Sequence, residues 1–198
     1  MLNALFPEIP WQQIKYVGFD LDGTLYDEFD FISQVYPAIL DGSELLQPDG
    51  GQPLSYMLKL WLEKGSSYNR IFSETYARFA EDQRQKDKFI NGALSLFRNL
   101  QPDLKLSKRN QYLLKYLKNN YTLFLVSDGS AKLQRNKFTA LNLEAFFDPD
   151  KVIFTGDWGA STYKPSPCAF HKLNINAKSD EIVYFGDRDI DDVFCRNI

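Results

Sequence analysis

The stretch IKYVGFDLDGTLY, Ile14 to Tyr26, decides the fold class. Its first half, Ile14 to Phe19, is a short apolar run that reads as a β-strand. Directly behind it stand Asp20 and Asp22, then Gly23 and Thr24. Side chains at i and i+2 share a side while strand geometry persists, and Gly23 permits a tight turn just beyond them. Two carboxylates placed this way are equipped to hold a divalent cation and to attack an electrophile. The same letters could make an ordinary turn, since Asp and Gly populate turns. With each residue type at about 5 to 7% usage, however, a chance Asp-x-Asp-Gly-Thr in a chain of this length has a probability of roughly a few per thousand.

Three further apolar segments follow at wide intervals: Thr122 to Val126, Val152 to Phe154 and Ile182 to Phe185. All are continuous in apolar character and not alternating, as expected of strands covered on both faces. The intervals between the last three suit crossover helices, so the chain reads as α/β with a parallel sheet. Each strand runs at once into polar or glycine residues: Asp-Leu-Asp-Gly-Thr, Ser-Asp-Gly-Ser, Thr-Gly-Asp and Gly-Asp-Arg-Asp. In an open parallel sheet the carboxyl ends of the strands form the ligand crevice, so these clusters are expected to converge.

The gap from Tyr26 to Tyr121 is too long for one crossover and implies an insertion. Its apolar residues recur at helical spacing, Met57, Leu60 and Trp61, then Phe72, Tyr76 and Phe79. Residues 28–98 are therefore expected to form a helical subdomain, with residues 1–27 and 99–198 forming the α/β core. Within the insertion, DGSELLQPDGGQPLS (41–55) reads as a loop. Ser107 is placed to cap a helix running to about Lys118, with Leu113, Leu114 and Leu117 on one face.

Composition narrows the class of function. The 198 residues are 44% hydrophobic and 25% charged, enough for a substantial core, and the net charge of -3 disfavours nucleic acid as a partner. No stretch approaches a membrane span, and the N-terminus lacks the apolar run of a signal peptide. Cys168 and Cys195 lie far apart without metal-type spacing and read as reduced thiols serving as packing residues. A cytoplasmic location is expected.

Four motifs in order carry a resemblance: FDLDGT at 19–24, VSDGS at 126–130, YKPSP at 163–167 and FGDRDID at 185–191. With them the chain resembles the haloacid dehalogenase-like hydrolase superfamily over nearly its whole length. The resemblance implies a three-layer Rossmann-like core with an inserted all-helical cap. It also implies a magnesium-dependent phosphatase acting on a small phosphorylated metabolite through an aspartyl-phosphate. Asp20 would be the nucleophile. Asp22 would be general acid and then general base, and its presence argues against dehalogenation, because the carbon-halogen cleaving members lack it. Ser127 and the backbone N–H of Asp128 would hold phosphoryl oxygens, and Lys164 would neutralise nucleophile and phosphate together. Magnesium would be held by Asp20, the backbone carbonyl of Asp22, Asp187 and a second acid of the fourth motif. For that second acid, Asp191 is preferred over Asp192. Asp128 departs from the asparagine frequent at its position, but its backbone contribution is expected to survive.

Other residues are given blander readings. His171, the single histidine, has no motif around it, and Trp11, Trp61 and Trp158 are expected to pack in core or cap. Family cores continue past the fourth motif, whereas this chain runs seven residues beyond Asp191. The implied strand order is 3-2-1-4 with the fourth strand at an edge, a feature that could lower stability or favour a homodimer over a monomer. Phosphomutase or phosphonate chemistry, the latter using a cap lysine among Lys59, Lys64, Lys86 and Lys88, stands as an alternative. So does a catalytically weak or inactive binding module.

Overall fold

The computed structural model describes residues 2–43 and 51–198. The chain divides into two compact units, one of residues 1–28 and 103–198 and one of residues 29–102.

The first unit holds a parallel sheet of β1 (Tyr16–Phe19), β2 (Thr122–Ser127), β3 (Val152–Phe154) and β4 (Ile182–Phe185) in the order β3-β2-β1-β4. All three pairings are parallel, with Phe19 opposite Leu125 on one side and Phe185 on the other. The expected α/β fold and strand order are present, and β1 begins at Tyr16, two residues later than its apolar run suggests. The continuous apolar run of β2 is explained by burial on both faces, Leu123 to Ser127 all being buried. Phe124 and Val126 join Ile153, Ala169, Phe170, Leu173, Ile182 and Phe194 in one core. Phe19 packs edge-on to Phe147, and Phe147 contacts Phe138. Each large side chain so buried contributes about 1.5–3 kcal/mol relative to exposure.

The helices of this unit are α1 (Leu2–Leu5), α6 (Lys108–Lys118), α7 (Ala131–Ala140), α8 (Cys168–His171) and α9 (Asp189–Asn197). Ser107 caps α6 by accepting a hydrogen bond from the Asn110 N–H at 3.1 Å. Leu114 and Leu117 are buried on α6, while Leu113 is only half-buried.

The second unit is entirely helical among its described residues: α2 (Phe29–Asp41), α3 (Gly51–Lys64), α4 (Ile71–Phe79) and α5 (Lys86–Asn99). Its core gathers Phe31, Val35, Tyr36, Met57, Tyr76 and Phe89, so the helical spacing of Met57 and Tyr76 is informative. The expected loop over 41–55 is shorter than its composition indicates. Asp41 ends α2 and Gly51 to Ser55 already belong to α3, while residues 44–50 lie outside the described residues. The reason is Pro53, which sits in the first turn of α3, where the missing N–H has no helical partner to lose. Two packing expectations need correction: Cys168 and Trp158 are exposed, while Cys195 is half-buried and Trp11 buried. No helix among the described residues is long and apolar enough to cross a membrane.

Candidate active site

The site is built where the strands end. Asp20 follows β1 and donates its N–H to the Phe185 carbonyl at 2.8 Å, which ties the first loop to the end of β4. Asp20 is 1% exposed, and its carboxylate accepts a hydrogen bond from Lys164 Nζ at 2.6 Å. The same ammonium donates to Asp191 Oδ1 at 2.5 Å, and Lys164 is 3% exposed. One buried cation therefore holds together two buried acids that come from opposite ends of the chain. Burial pushes the Asp20 carboxyl up to about 6, against the pull of Lys164. Lys164 loses from burial and gains more from Asp20 and Asp191, so its pKa is raised and it stays charged.

Gly23 allows the first and fourth loops to meet, and Gly186 lets the fourth motif fold back on itself. Gly23 has φ of +73°, and a Cβ there would stand 2.2 Å from Asp187 Oδ2. A Cβ on Gly186 would come within 2.3 Å of the Asp191 side chain. Asp20, Asp187 and Asp191 thereby each offer a carboxylate oxygen, all within 4.8 Å of one another. Asp20 Oδ2 is buried without a hydrogen-bond partner among the described residues. An all-oxygen donor set with an oxygen to spare fits a hard divalent cation such as magnesium. Asp192 goes elsewhere, pairing with Arg196 on the exposed face of α9 at 2.8 Å. The geometry thus separates the two acids of the fourth motif.

Ser127 ends β2, 1% exposed, and its Oγ is buried without a partner among the described residues. Buried polar atoms left unpaired are uncommon and costly, so Ser127 Oγ and Asp20 Oδ2 mark where a polar ligand would be satisfied. The Asp128 side chain turns to the third motif, accepting from Thr155 Oγ1 at 2.9 Å and from the Lys164 N–H at 3.2 Å. The acid that replaces asparagine here therefore pins the backbone of the lysine loop to the end of β2.

Asp22 lies in a different environment. Its Oδ1 accepts from Lys137 Nζ at 2.6 Å and from the Tyr26 hydroxyl, and its Oδ2 accepts from Gln134 Nε2 at 2.8 Å. Burial opposes its ionisation, but the Lys137 ammonium and the two neutral donors outweigh it and hold the carboxyl below the usual carboxylate range. Asp22 contributes no carboxylate to the acidic cluster of Asp20, Asp187 and Asp191.

The family pattern described as haloacid dehalogenase-like hydrolase matches residues 17–198, a span that opens inside β1 and takes in the Asp20 loop, Ser127, Lys164 and the acids of the fourth motif. The chain belongs to the haloacid dehalogenase-like hydrolases. A glyceraldehyde 3-phosphate phosphatase of Methanocaldococcus jannaschii is 25% identical over 183 residues, covering 88% of this chain and 77% of that one. Among solved structures, a haloacid dehalogenase-superfamily hydrolase of subfamily IA from Geobacter sulfurreducens aligns with a TM-score of 0.70 at 18% identity, over 93% of this chain and 83% of its own. The hydrolase YfnB of Bacillus subtilis, described as bound to magnesium, aligns with a TM-score of 0.63 at 15% identity, over 89% and 79%. A 2-haloacid dehalogenase of Pseudomonas syringae aligns at 0.55 and 20% identity, over 93% and 83%. These structures share the fold.

Sequence reasoning about this hydrolase misses Gln134, Lys137, Tyr26 and Tyr184. Tyr184 Oη donates to the Val126 carbonyl at 3.1 Å and lies 3.5 Å from Lys164 Nζ. For Gln134 and Lys137 a signal does exist. On α7 they interrupt the buried stripe of Leu133 and Phe138, so two polar side chains stand where an amphipathic helix should be apolar.

Proposed function

We propose that the protein is a magnesium-dependent phosphatase that hydrolyses a small-molecule phosphomonoester through an aspartyl-phosphate on Asp20. The observation that carries this reading is Asp20 itself: buried, bridged by Lys164 to Asp191, and with one carboxylate oxygen unpaired among the described residues. An Asp20 oxygen forms a bond to phosphorus as the bond to the leaving oxygen breaks; Asp22, which Lys137 keeps ionised in the free protein, takes up a solvent proton as the anionic substrate binds and passes that proton to the leaving oxygen. Asp22 then takes a proton from the water that attacks the aspartyl-phosphate, releasing inorganic phosphate and restoring both aspartates. Ser127 Oγ and the Asp128 N–H hold phosphoryl oxygens in transit, and Lys164 offsets the repulsion between the carboxylate and the phosphate. Asp20, Asp187, Asp191 and the Asp22 carbonyl would hold magnesium, which when bound supplies positive charge against the phosphate oxygens.

The helical unit, residues 29–102, is assigned the role of a cap that sets substrate choice. The relative from Methanocaldococcus jannaschii makes glyceraldehyde 3-phosphate the first compound to try. The reading is tested by phosphate release from a panel of phosphomonoesters, including p-nitrophenyl phosphate, with magnesium. Turnover by the natural protein that is lost in Asp20→Asn is expected. Absence of turnover across the panel would contradict the reading.

A further inference from the structure

Three side chains with no place in the phosphatase scheme crowd the first motif from the helix after β2 and from the turn after Thr24. Lys137 is 2% exposed and Gln134 is 4% exposed. Both reach from α7 across to Asp22, at 2.6 Å and 2.8 Å. The Gln134 amide also donates to the Asp128 carbonyl at 2.7 Å, so one Nε2 bridges the first and second motifs. Tyr26, four residues after Asp22, donates to the same Oδ1 that Lys137 holds, and the Lys137 ammonium lies 5.9 Å from the centre of the Tyr26 ring.

A buried lysine paired with a part-buried carboxylate is expensive to maintain by packing alone, and apolar residues would fill the same stripe at no such cost. Its placement makes sense if the carboxylate must stay in one position. Asp22 has two acceptor oxygens, and three donors approaching from two elements leave it one orientation, with Oδ1 fixed by Lys137 and Tyr26 and Oδ2 by Gln134. General acid–base catalysis requires the group within hydrogen-bond reach of the proton it moves, so a displaced carboxylate loses rate even when it remains ionisable.

Building on the phosphatase reading, we propose that Lys137 and Gln134 are positioning residues that clamp the Asp22 carboxylate in the place from which it exchanges protons with the leaving group and with water. They act through Asp22 and touch neither phosphate nor leaving group. Both lie between the second and third motifs, outside all four.

A positioning role differs from a merely structural one in its dependence on the leaving group. p-Nitrophenolate leaves without much help from an acid, whereas an alkoxide depends on one. In Lys137→Met the value of kcat/KM for an alkyl phosphomonoester should therefore fall about a hundredfold, while that for p-nitrophenyl phosphate falls far less. Lys137→Arg, which keeps the cation, should recover part of the loss, and Gln134→Leu should give a smaller change in the same direction. In an Asp22→Asn background, Lys137→Met should cost little more, because residues that act as a unit are not additive. Equal losses on both substrates, or full additivity with Asp22→Asn, would overturn the proposal. Turnover by the natural protein judges the phosphatase reading separately. If that turnover is absent, the crystal structure of Lys137→Met still decides the clamp: a displaced Asp22 carboxylate supports it, and an unmoved one overturns it.

Discussion

Asp20 and Asp22 stand two residues apart on one loop, and their surroundings have opposite electrical character. Around Asp20, acids outnumber cations: Asp187 and Asp191 share the cluster, Lys164 bridges Asp20 and Asp191, Arg188 pairs with Asp187 at 3.9 Å, and one Asp20 oxygen is unpaired among the described residues. Around Asp22 the carboxylate accepts from three donors, Lys137 and Tyr26 on Oδ1 and Gln134 on Oδ2. Burial raises the first carboxyl to about 6, while the cation and its helpers overcome burial and lower the second. Under the proposed phosphatase reading the difference is a division of labour: Asp20 is left with an unpaired oxygen for a cation and a phosphoryl group, and Asp22 is held in place by the protein.

The largest effect expected from breaking this contrast is on turnover. Asp20→Asn keeps the volume and removes the proposed nucleophile, and activity should fall by roughly 10³-fold or more, as seen when covalent nucleophiles are removed; steady-state release of phosphate checks it. Removing the cations should separate the two regions in stability. Lys164→Met strands two buried acids and is expected to cost about 3–5 kcal/mol without divalent cation. Lys137→Met leaves Asp22 two neutral donors and should cost about 1–3 kcal/mol. Urea denaturation of both variants in chelator measures the difference, and equal losses would erase the contrast.

Next in size is the pH response, where the two aspartates act with opposite sign. A carboxyl raised from its ordinary 3.8 to about 6 binds its proton more tightly folded than unfolded. Asp20 therefore lowers stability as pH rises from about 4 to 6, by about 3 kcal/mol. Asp22, held below its ordinary value of 3.8, contributes stability that is present above that pH and lost as pH falls through its folded value. In chelator, Asp20→Asn should make stability less sensitive to rising pH between 4 and 6, and Asp22→Asn should remove part of the acid destabilisation below 4. The smallest effect belongs to Ser127. Its Oγ has no partner to lose among the described residues, so Ser127→Ala should change stability by no more than about 1 kcal/mol. Its kcat/KM for a phosphomonoester should nevertheless drop.

Much of this is legible in the letters of the chain. The continuous apolar runs announce a parallel sheet whose strands β1 to β3 are largely buried, while β4, at the edge, is buried only at Ile182. Motif order singles out Asp20, Asp191 and Lys164 from the other acids and lysines. The Asp22 clamp leaves only a weak mark, two polar residues beside Leu133 and Phe138 on α7, and what they hold is not legible until the helix packs and turns them inward. The loop over 41–55 comes out too long because Gly and Pro read as breakers, although Pro53 in a first helical turn breaks nothing. Exposure of Cys168 depends on which way the short α8 faces, and four residues carry too little periodicity to say.

The most direct test of the central claim is to trap the intermediate. The natural protein is mixed with p-nitrophenyl phosphate and magnesium, quenched in acid during turnover, digested and mapped by mass spectrometry. The account requires a phosphoryl group on the peptide containing Asp20, absent from Asp20→Asn and discharged by hydroxylamine. Turnover with no covalent phosphoryl group, or with one on another residue, would contradict it.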